Sequence, residues 1–473
     1  MNRFFQLQSH PQRSLQTPWV WVQIGLFLFP FSPLVGGLSL LGAAIATWVK
    51  RAAWIKRRRF NQGLAILSLW FLVSAFLAYD RTAALLGLAN FLPLFFLFAA
   101  LSVLIQTPAQ LRQLAWLLVL TSVPVVIIGL GQQFWGWAGH LRLLGIVVDL
   151  ALERGGNPLG RMSSIFTYAN VLANYLVIVF ILGLGLWMEA FSGRRSPLHQ
   201  GVEGIAVETS SDSKLALNAL PTSPRASTQT WWRWWFLTVV VLGNAIALLL
   251  TNSRNAWVVA GLACLTYALY LGWRWLVIAV GAVGAGIAGA AFGPAIVKAP
   301  LRLIVPAFFW ARLSDESYPN RPVATLRATQ WQFAWSLAEQ RPLTGWGLRN
   351  FTPLYQAKWQ VFMGHPHNLP LMLIAETGLP ATLLFVGLVG WIVYRGVRLL
   401  QSWTPASEPL QESDRLILFT YLVAFLGCSL FNLFDVTLFD IRINVLGWLL
   451  LAAICGLVER QQSGSKNFSE EPG

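Results

Sequence analysis

Helix-length apolar runs recur along nearly the whole of this 473-residue chain, and they decide which solvent it folds in. Several approach or exceed the roughly 18–20 residues that cross a bilayer as a helix. They are uninterrupted, unlike the alternating ten-residue segments of an outer-membrane barrel, so they imply a helical bundle. Charged residues make up 11% of the chain, against roughly 25% in an average soluble domain. The expected fold class is all-α: a polytopic helical membrane protein of about twelve transmembrane helices with one large helical loop outside the membrane.

The expected spans are approximately 19–32, 34–49, 62–79, 83–105, 114–134, 169–190, 234–251, 255–271, 275–293, 369–394, 415–434 and 443–459. Lys50, Arg51, Lys56, Arg57, Arg58 and Arg59 follow the second span, and so dense a cation cluster marks that loop as cytoplasmic. Alternation then places Arg112, Arg194, Arg195, Arg233, Arg274, Arg395, Arg398 and Arg460 on the same side, with both termini inside. The expected organisation is 1–191, transmembrane helices 1–6; 192–230, a disordered cytoplasmic insertion; and 231–293, helices 7–9. The outer loop 294–368, helices 10–12 in 369–460 and a tail of 461–473 complete it. The insertion is read from its Ser, Thr and Pro content and its lack of apolar period.

A net charge of +15 first suggests nucleic acid. In a membrane protein it reflects topology and anionic lipid instead, so no nucleic-acid partner is expected. Cys264, Cys428 and Cys455 all fall in apolar runs without metal spacing, which argues against a disulfide framework or a zinc site. The polar first 17 residues lack a small-residue cleavage signal, so the first span reads as a retained anchor.

Four stretches remain on the outer face: 135–168, the turn at 252–254, the loop 294–368 and 435–442. In the long loop Lys298, Arg302, Arg312, Arg321, Arg327, Arg341, Arg349 and Lys358 face only Asp315, Glu316 and Glu339. Cations where topology does not need them suggest an anionic ligand. Arg254 sits between two apolar runs, where a guanidinium either snorkels or grips a phosphate bidentately. Val323–Glu339 reads as a helix with a Leu326, Phe333, Leu337 stripe and with Arg327 and Trp331 as i,i+4 neighbours, able to lie on the membrane surface. Pro342-Leu343-Thr344-Gly345-Trp346-Gly347 reads as a tight turn. His367, just before a span, is the candidate proton acceptor near neutral pH, with His365 the less constrained neighbour. Glu376, expected inside that span, is a candidate by its position alone. Asp440 is expected to form a structural salt link to Arg442, and the acids here form no compact metal-binding cluster.

Arg341-Pro342-Leu343-Thr344-Gly345-Trp346-Gly347-Leu348-Arg349-Asn350-Phe351, His367-Asn368 and Glu376-Thr377-Gly378-Leu379 together resemble the O-antigen ligase/polymerase family of membrane glycosyltransferases. Thr251–Trp257 and Arg161–Asn170 look like further family segments, so the resemblance spans roughly 150–460. It is similar above all to a cyanobacterial subgroup labelled as bicarbonate transporters. The resemblance implies a GT-C-like enzyme of the inner membrane with its active site on the periplasmic face. Its donor would be a glycan on undecaprenyl diphosphate and its acceptor a sugar hydroxyl of lipid A-core or a related glycolipid. The transfer would be inverting and metal-independent, with no cofactor. Carried over residue by residue, His367 would be the base or the residue that orients the acceptor, Arg254 and Arg327 would hold the donor diphosphate, and Arg161 would be a further contact to it. Asn368, Glu376 and Asp435 would support them. Pro370 departs from the family's more usual Tyr-Leu continuation after His-Asn.

Diphosphate is a good leaving group whose charge arginines can stabilise, so the residues suit this chemistry on their own account. Three other readings stay open at this level: an O-antigen polymerase, a transporter of bicarbonate or another small anion, and a non-catalytic scaffold, which would leave the arginines and histidine unexplained. A transporter would place its coupling site near mid-membrane between broken helices, whereas these charges gather at one face.

Overall fold

The computed structural model describes residues 10–143, 148–203, 224–314, 322–403 and 409–468. Six helices come first: α1 (Gln16–Leu28), α2 (Pro33–Arg57), α3 (Arg59–Phe76), α4 (Arg81–Leu88), α5 (Leu92–Leu104) and α6 (Pro108–Phe134). An antiparallel ribbon of β1 (Gly139–Leu143) and β2 (Val148–Leu152) separates them from α7 (Ala169–Glu203), α8 (Pro224–Leu250), α9 (Arg254–Tyr270) and α10 (Arg274–Phe292). Five short helices follow: α11 (Ala295–Ile304), α12 (Ala307–Leu313), α13 (Arg327–Gln340), α14 (Phe351–Trp359) and α15 (Leu369–Thr377). Three long ones close the chain: α16 (Leu379–Ser402), α17 (Pro409–Phe431) and α18 (Ile441–Phe468).

The protein is an all-α polytopic membrane protein. Among the described residues, nine helical segments are long and apolar enough to cross a bilayer, α4 and α5 counting as one. The other three expected spans are also helices, but α1 has 13 residues, α9 has 17, and the 18 of α3 begin with Arg59, Asn61 and Gln62. The expected span at 369–394 is broken at Gly378, whose φ of +81° ends α15 and opens α16. The insertion expected at 192–230 lies mostly outside the described residues, since the chain is helical to Glu203 and again from Pro224.

Every backbone polar group in hydrocarbon must be satisfied within its own segment, which is why apolar runs here become helices. Their starts are set locally. Thr107 and Gln110 form a capping box at α6, and Ser32 accepts from the Val35 N–H ahead of α2. α7, α17 and α18 form the centre, with 83%, 72% and 89% of their apolar windows buried, whereas α10 and α16 lie on the outside at 11% each. Away from the site, Arg112 ties α6 to α7 and α17 through Glu189 at 2.5 Å and Asp414 at 2.6 Å.

At the other end the four expected outer stretches meet. Met162 N–H donates to the Leu250 carbonyl at 3.0 Å, and Arg442 Nη1 to that of Ile165 at 3.1 Å. Residues 327–377 form a cap with a small core of its own, in which Phe333, Leu337, Phe351, Tyr355 and Ala375 pack together. α13 is therefore no surface-lying amphipathic helix: it packs on α15. It starts at Arg327, four residues later than expected, and Leu326 is 38% exposed instead of joining the stripe.

Candidate functional site

His367 stands in the loop between α14 and α15 with φ +54°, a left-handed conformation uncommon for a residue with a Cβ. Such outliers persist where surrounding contacts over-determine them, and here the contacts are identifiable. Ahead of His367, Trp331 of α13 donates its indole N–H to the Pro366 carbonyl at 2.9 Å. Behind it, Asn368 caps α15 by accepting from the Leu371 N–H at 2.9 Å and donates to the Leu433 carbonyl at 3.1 Å. Pro370 falls in the first turn of α15, where its missing N–H costs nothing. Asn368 is thus a strut that holds the loop against the α17–α18 connection.

The imidazole faces Asp435, in that connection, with Nδ1 2.8 Å from Oδ1. The second oxygen accepts from Asn170 Nδ2 at 2.5 Å. Asn170 in turn accepts from Arg161, whose Nε donates to the Thr251 carbonyl at 2.8 Å. A continuous polar chain therefore runs from Thr251 through Arg161, Asn170 and Asp435 to His367. It joins four segments that are distant in sequence.

Asp435 is 4% exposed. Burial alone would push its carboxyl up, but the hydrogen bond and charge of His367, with His365 and Arg327, outweigh it and hold the carboxyl below its ordinary range. An ionised carboxylate can only accept, so His367 Nδ1 carries a hydrogen, and in the neutral ring Nε2 is then the nitrogen with the lone pair. Among the described residues Nε2 has no hydrogen-bond partner, and the side chain is 27% exposed. This is the arrangement of a base oriented from behind by an acid.

His365 is the more enclosed of the pair, contrary to expectation. Its ring stacks on Phe439 at 5.8 Å and meets the His367 ring edge-on at 4.5 Å. Burial first, then the charges of His367 and Arg327, lower it to about 4 despite Asp435, so it is neutral near pH 7. His365, His367 and Asp435 have donor atoms within 4.8 Å of one another, and among the described residues they are the group able to hold a metal ion.

The arginines take three positions. Arg161 has two nitrogens engaged in the polar chain and its guanidinium 5.9 Å from the Tyr168 ring centroid, so it positions Asn170. Arg327 is the exposed first residue of α13, and its charge is felt by both His365 and Asp435. Arg254 is the half-buried first residue of α9, three positions beyond the Thr251 carbonyl that Arg161 binds. The next residue, Asn255, donates to the Phe431 carbonyl at 2.7 Å, which sets the start of α9 against the end of α17. Asp440 pairs with Arg442 at 2.6 Å, as expected, outside the cluster.

Glu376 is not with these groups. It lies in α15, not in a span, and is 2% exposed beneath the turn at 344–347. Oε1 accepts from the Phe351 N–H at 3.1 Å, and the Glu376 carbonyl accepts from the Gly347 N–H at 2.8 Å. The approach is so close that a Cβ on Gly345, at φ +64°, would come within 2.3 Å of the Glu376 carbonyl carbon. Burial pushes the Glu376 carboxyl up to about 7 against backbone donors at Arg349 and Phe351 and the Arg349 charge.

Part of this site falls within a recognisable unit. Residues 237–386 match the O-antigen ligase family model. The O-antigen ligase segment contains Arg254, Arg327, His367, Asn368 and Glu376, and it is narrower than the 150–460 resemblance. Arg161, Asn170 and Asp435 lie outside the ligase match and join it only through the fold. The match implies a membrane glycosyltransferase-type ligase or polymerase acting on lipid-linked glycan and glycolipid. A comparison with curated proteins finds no match.

Asn170 and His365 were missed as site residues. Asn170 belongs to the Arg161–Asn170 run, but nothing in that run points to a partner as remote as Asp435. His365 carried a signal in its spacing, since alternate residues of a short loop can turn to one acid.

Proposed function

We propose that this protein is an O-antigen ligase-type glycosyltransferase of the inner membrane, with both termini in the cytoplasm and its site facing the periplasm. It moves a glycan from undecaprenyl diphosphate to a sugar hydroxyl of lipid A-core or a related glycolipid. The observation that carries this reading is the hydrogen bond between His367 Nδ1 and Asp435, which leaves Nε2 without a protein partner among the described residues, with His367, Arg254 and Arg327 all inside the ligase-family segment.

His367 Nε2 takes the proton of the acceptor hydroxyl as its oxygen attacks the anomeric carbon. The bond from that carbon to the diphosphate breaks on the opposite face, so the configuration inverts. Asp435 stabilises the imidazolium that forms and keeps the ring in the required tautomer. Arg254 and Arg327, with Arg161, face the diphosphate and offset the charge it gains on leaving. His367 and Arg327 then sit in a cap reaching to Thr377, beyond the loop boundary at 368, with Asp435, Arg254 and Arg161 on the bundle below it, while the donor's lipid tail stays in the bilayer.

The test is deletion of the gene with a gel of surface glycolipid. Loss of the glycan ladder, restored by wild type but not by His367→Ala or Arg254→Ala, is expected. Transfer by the purified protein should continue in chelator; abolition by chelator and rescue by a divalent cation would move the role of His365, His367 and Asp435 to metal binding. An intact ladder with reduced anion uptake would refute the enzyme. Preserved ligation with shortened chains would assign polymerase activity.

A further inference from the structure

A second group of arginines lies at the opposite end of the bundle. The end of α3 meets the cap, where Ser74 Oγ donates to the Thr344 carbonyl at 2.7 Å. Its start at Arg59 is at the far end of this 18-residue helix, which is roughly 27 Å long at 1.5 Å per residue, close to the thickness of a bilayer core. There Arg57, Arg58 and Arg59, at the α2–α3 corner, and Arg395 of α16 line a cavity of about 860 Å³ with Glu459 as its acid. Arg395 pairs with Glu459 at 2.6 Å, and Arg58 donates to the carbonyl and hydroxyl of Ser102 at 2.9 and 3.1 Å. Arg57 and Arg59 are exposed and form no ion pair among the described residues.

A second hollow, of about 370 Å³, shares Arg59, Phe60 and Trp391 with the first. It continues past Leu384, Gly387 and Leu388 along the membrane-spanning part of α16, the most outward-facing of the late helices. A cationic cavity leading into an apolar groove open to the bilayer has the outline of a lipid: head at one end, chain along the other. A soluble anion would use only the first part, and a neutral lipid only the second. We propose that this corner binds one anionic glycerophospholipid, its phosphate among Arg57, Arg59 and Arg395 and one acyl chain in the groove on α16. Basic pockets between helices at a membrane face hold anionic headgroups in this way. The lipid would join the α2–α3 corner to α16 and α18, at the end of the bundle remote from the proposed chemistry.

The test is native mass spectrometry of the purified protein with phosphatidylglycerol or phosphatidylcholine of identical chains. Wild type should retain phosphatidylglycerol in preference. Each basic residue near a headgroup contributes about fivefold in affinity, so Arg57→Gln with Arg59→Gln should weaken retention about 25-fold. Gly387→Leu is the second probe: its Cβ meets no protein atom within 4 Å, so the new side chain fills the groove without strain in the fold. It should lower phosphatidylglycerol binding while leaving the melting temperature in neutral detergent unchanged. Undiminished preference in the double variant would reduce the site to ordinary annular lipid and overturn the proposal. Displacement by millimolar inorganic phosphate, with Gly387→Leu binding as wild type, would overturn it in favour of a soluble anion.

Discussion

Glu376→Gln isolates one buried proton. In the fold Glu376 Oε1 accepts a backbone N–H, Oε2 has no partner, and the carboxyl titrates at about 7 against an ordinary 4.5. Between those two values the folded protein keeps a proton that the unfolded chain has released. Stability therefore falls as pH rises through that window and levels off above it. The step from 4.5 to about 7 corresponds to about 3 kcal/mol at 1.36 kcal/mol per pH unit. Glutamine keeps the shape and the acceptor but cannot ionise. At pH 5 it and the protonated acid leave the same position unpaired, so the two proteins should melt together. At pH 8 the variant should melt a few degrees higher. The assay is tryptophan fluorescence during heating in detergent, from pH 5 to 8, with both proteins at the same heating rate because such unfolding is often irreversible. The difference between the curves cancels every other titrating group. Parallel curves, or a variant that melts lower at pH 8, would refute the reasoning.

Asp435→Asn should cut transfer about 10- to 100-fold with the fold retained, since a charge-assisted hydrogen bond is worth about 1.5–3 kcal/mol and an amide would set donor against donor at His367 or Asn170. Single-turnover transfer rates check this, and an unchanged rate would remove Asp435 from the mechanism. Gly345→Ala should destabilise by roughly 2–4 kcal/mol, combining left-handed strain with overpacking, while Gly364→Ala, whose Cβ meets nothing within 4 Å, should melt like wild type. Equal melting of the two variants would refute the close approach of the turn to α15.

Much of the architecture was legible because solvent leaves so few options. Apolar runs in a bilayer must be helices, so fold class and most helix positions followed from hydropathy alone. Gly378 broke the tenth expected span because hydropathy does not register backbone conformation: Leu369–Thr377 is as apolar as a span but belongs to the cap. His367 was legible from its chemistry, being a titratable ring at a helix start beside an acid-poor, arginine-rich loop. Asp435 was expected only as a supporting residue, and its pairing with His367 was not legible. Asp435 and Asn170 lie 68 and 265 residues from their hydrogen-bond partners His367 and Asp435, and no local pattern encodes such a meeting. Glu376 was misplaced for the same reason, its role being set by what the 344–347 turn lays over it. Hydropathy and side-chain chemistry are local, so the sequence by itself determined the solvent, the helices and the kinds of group available. Only the packing of α7, α9, α13, α15 and α17 decided which of those groups share a hydrogen bond, because that depends on distances no local pattern contains.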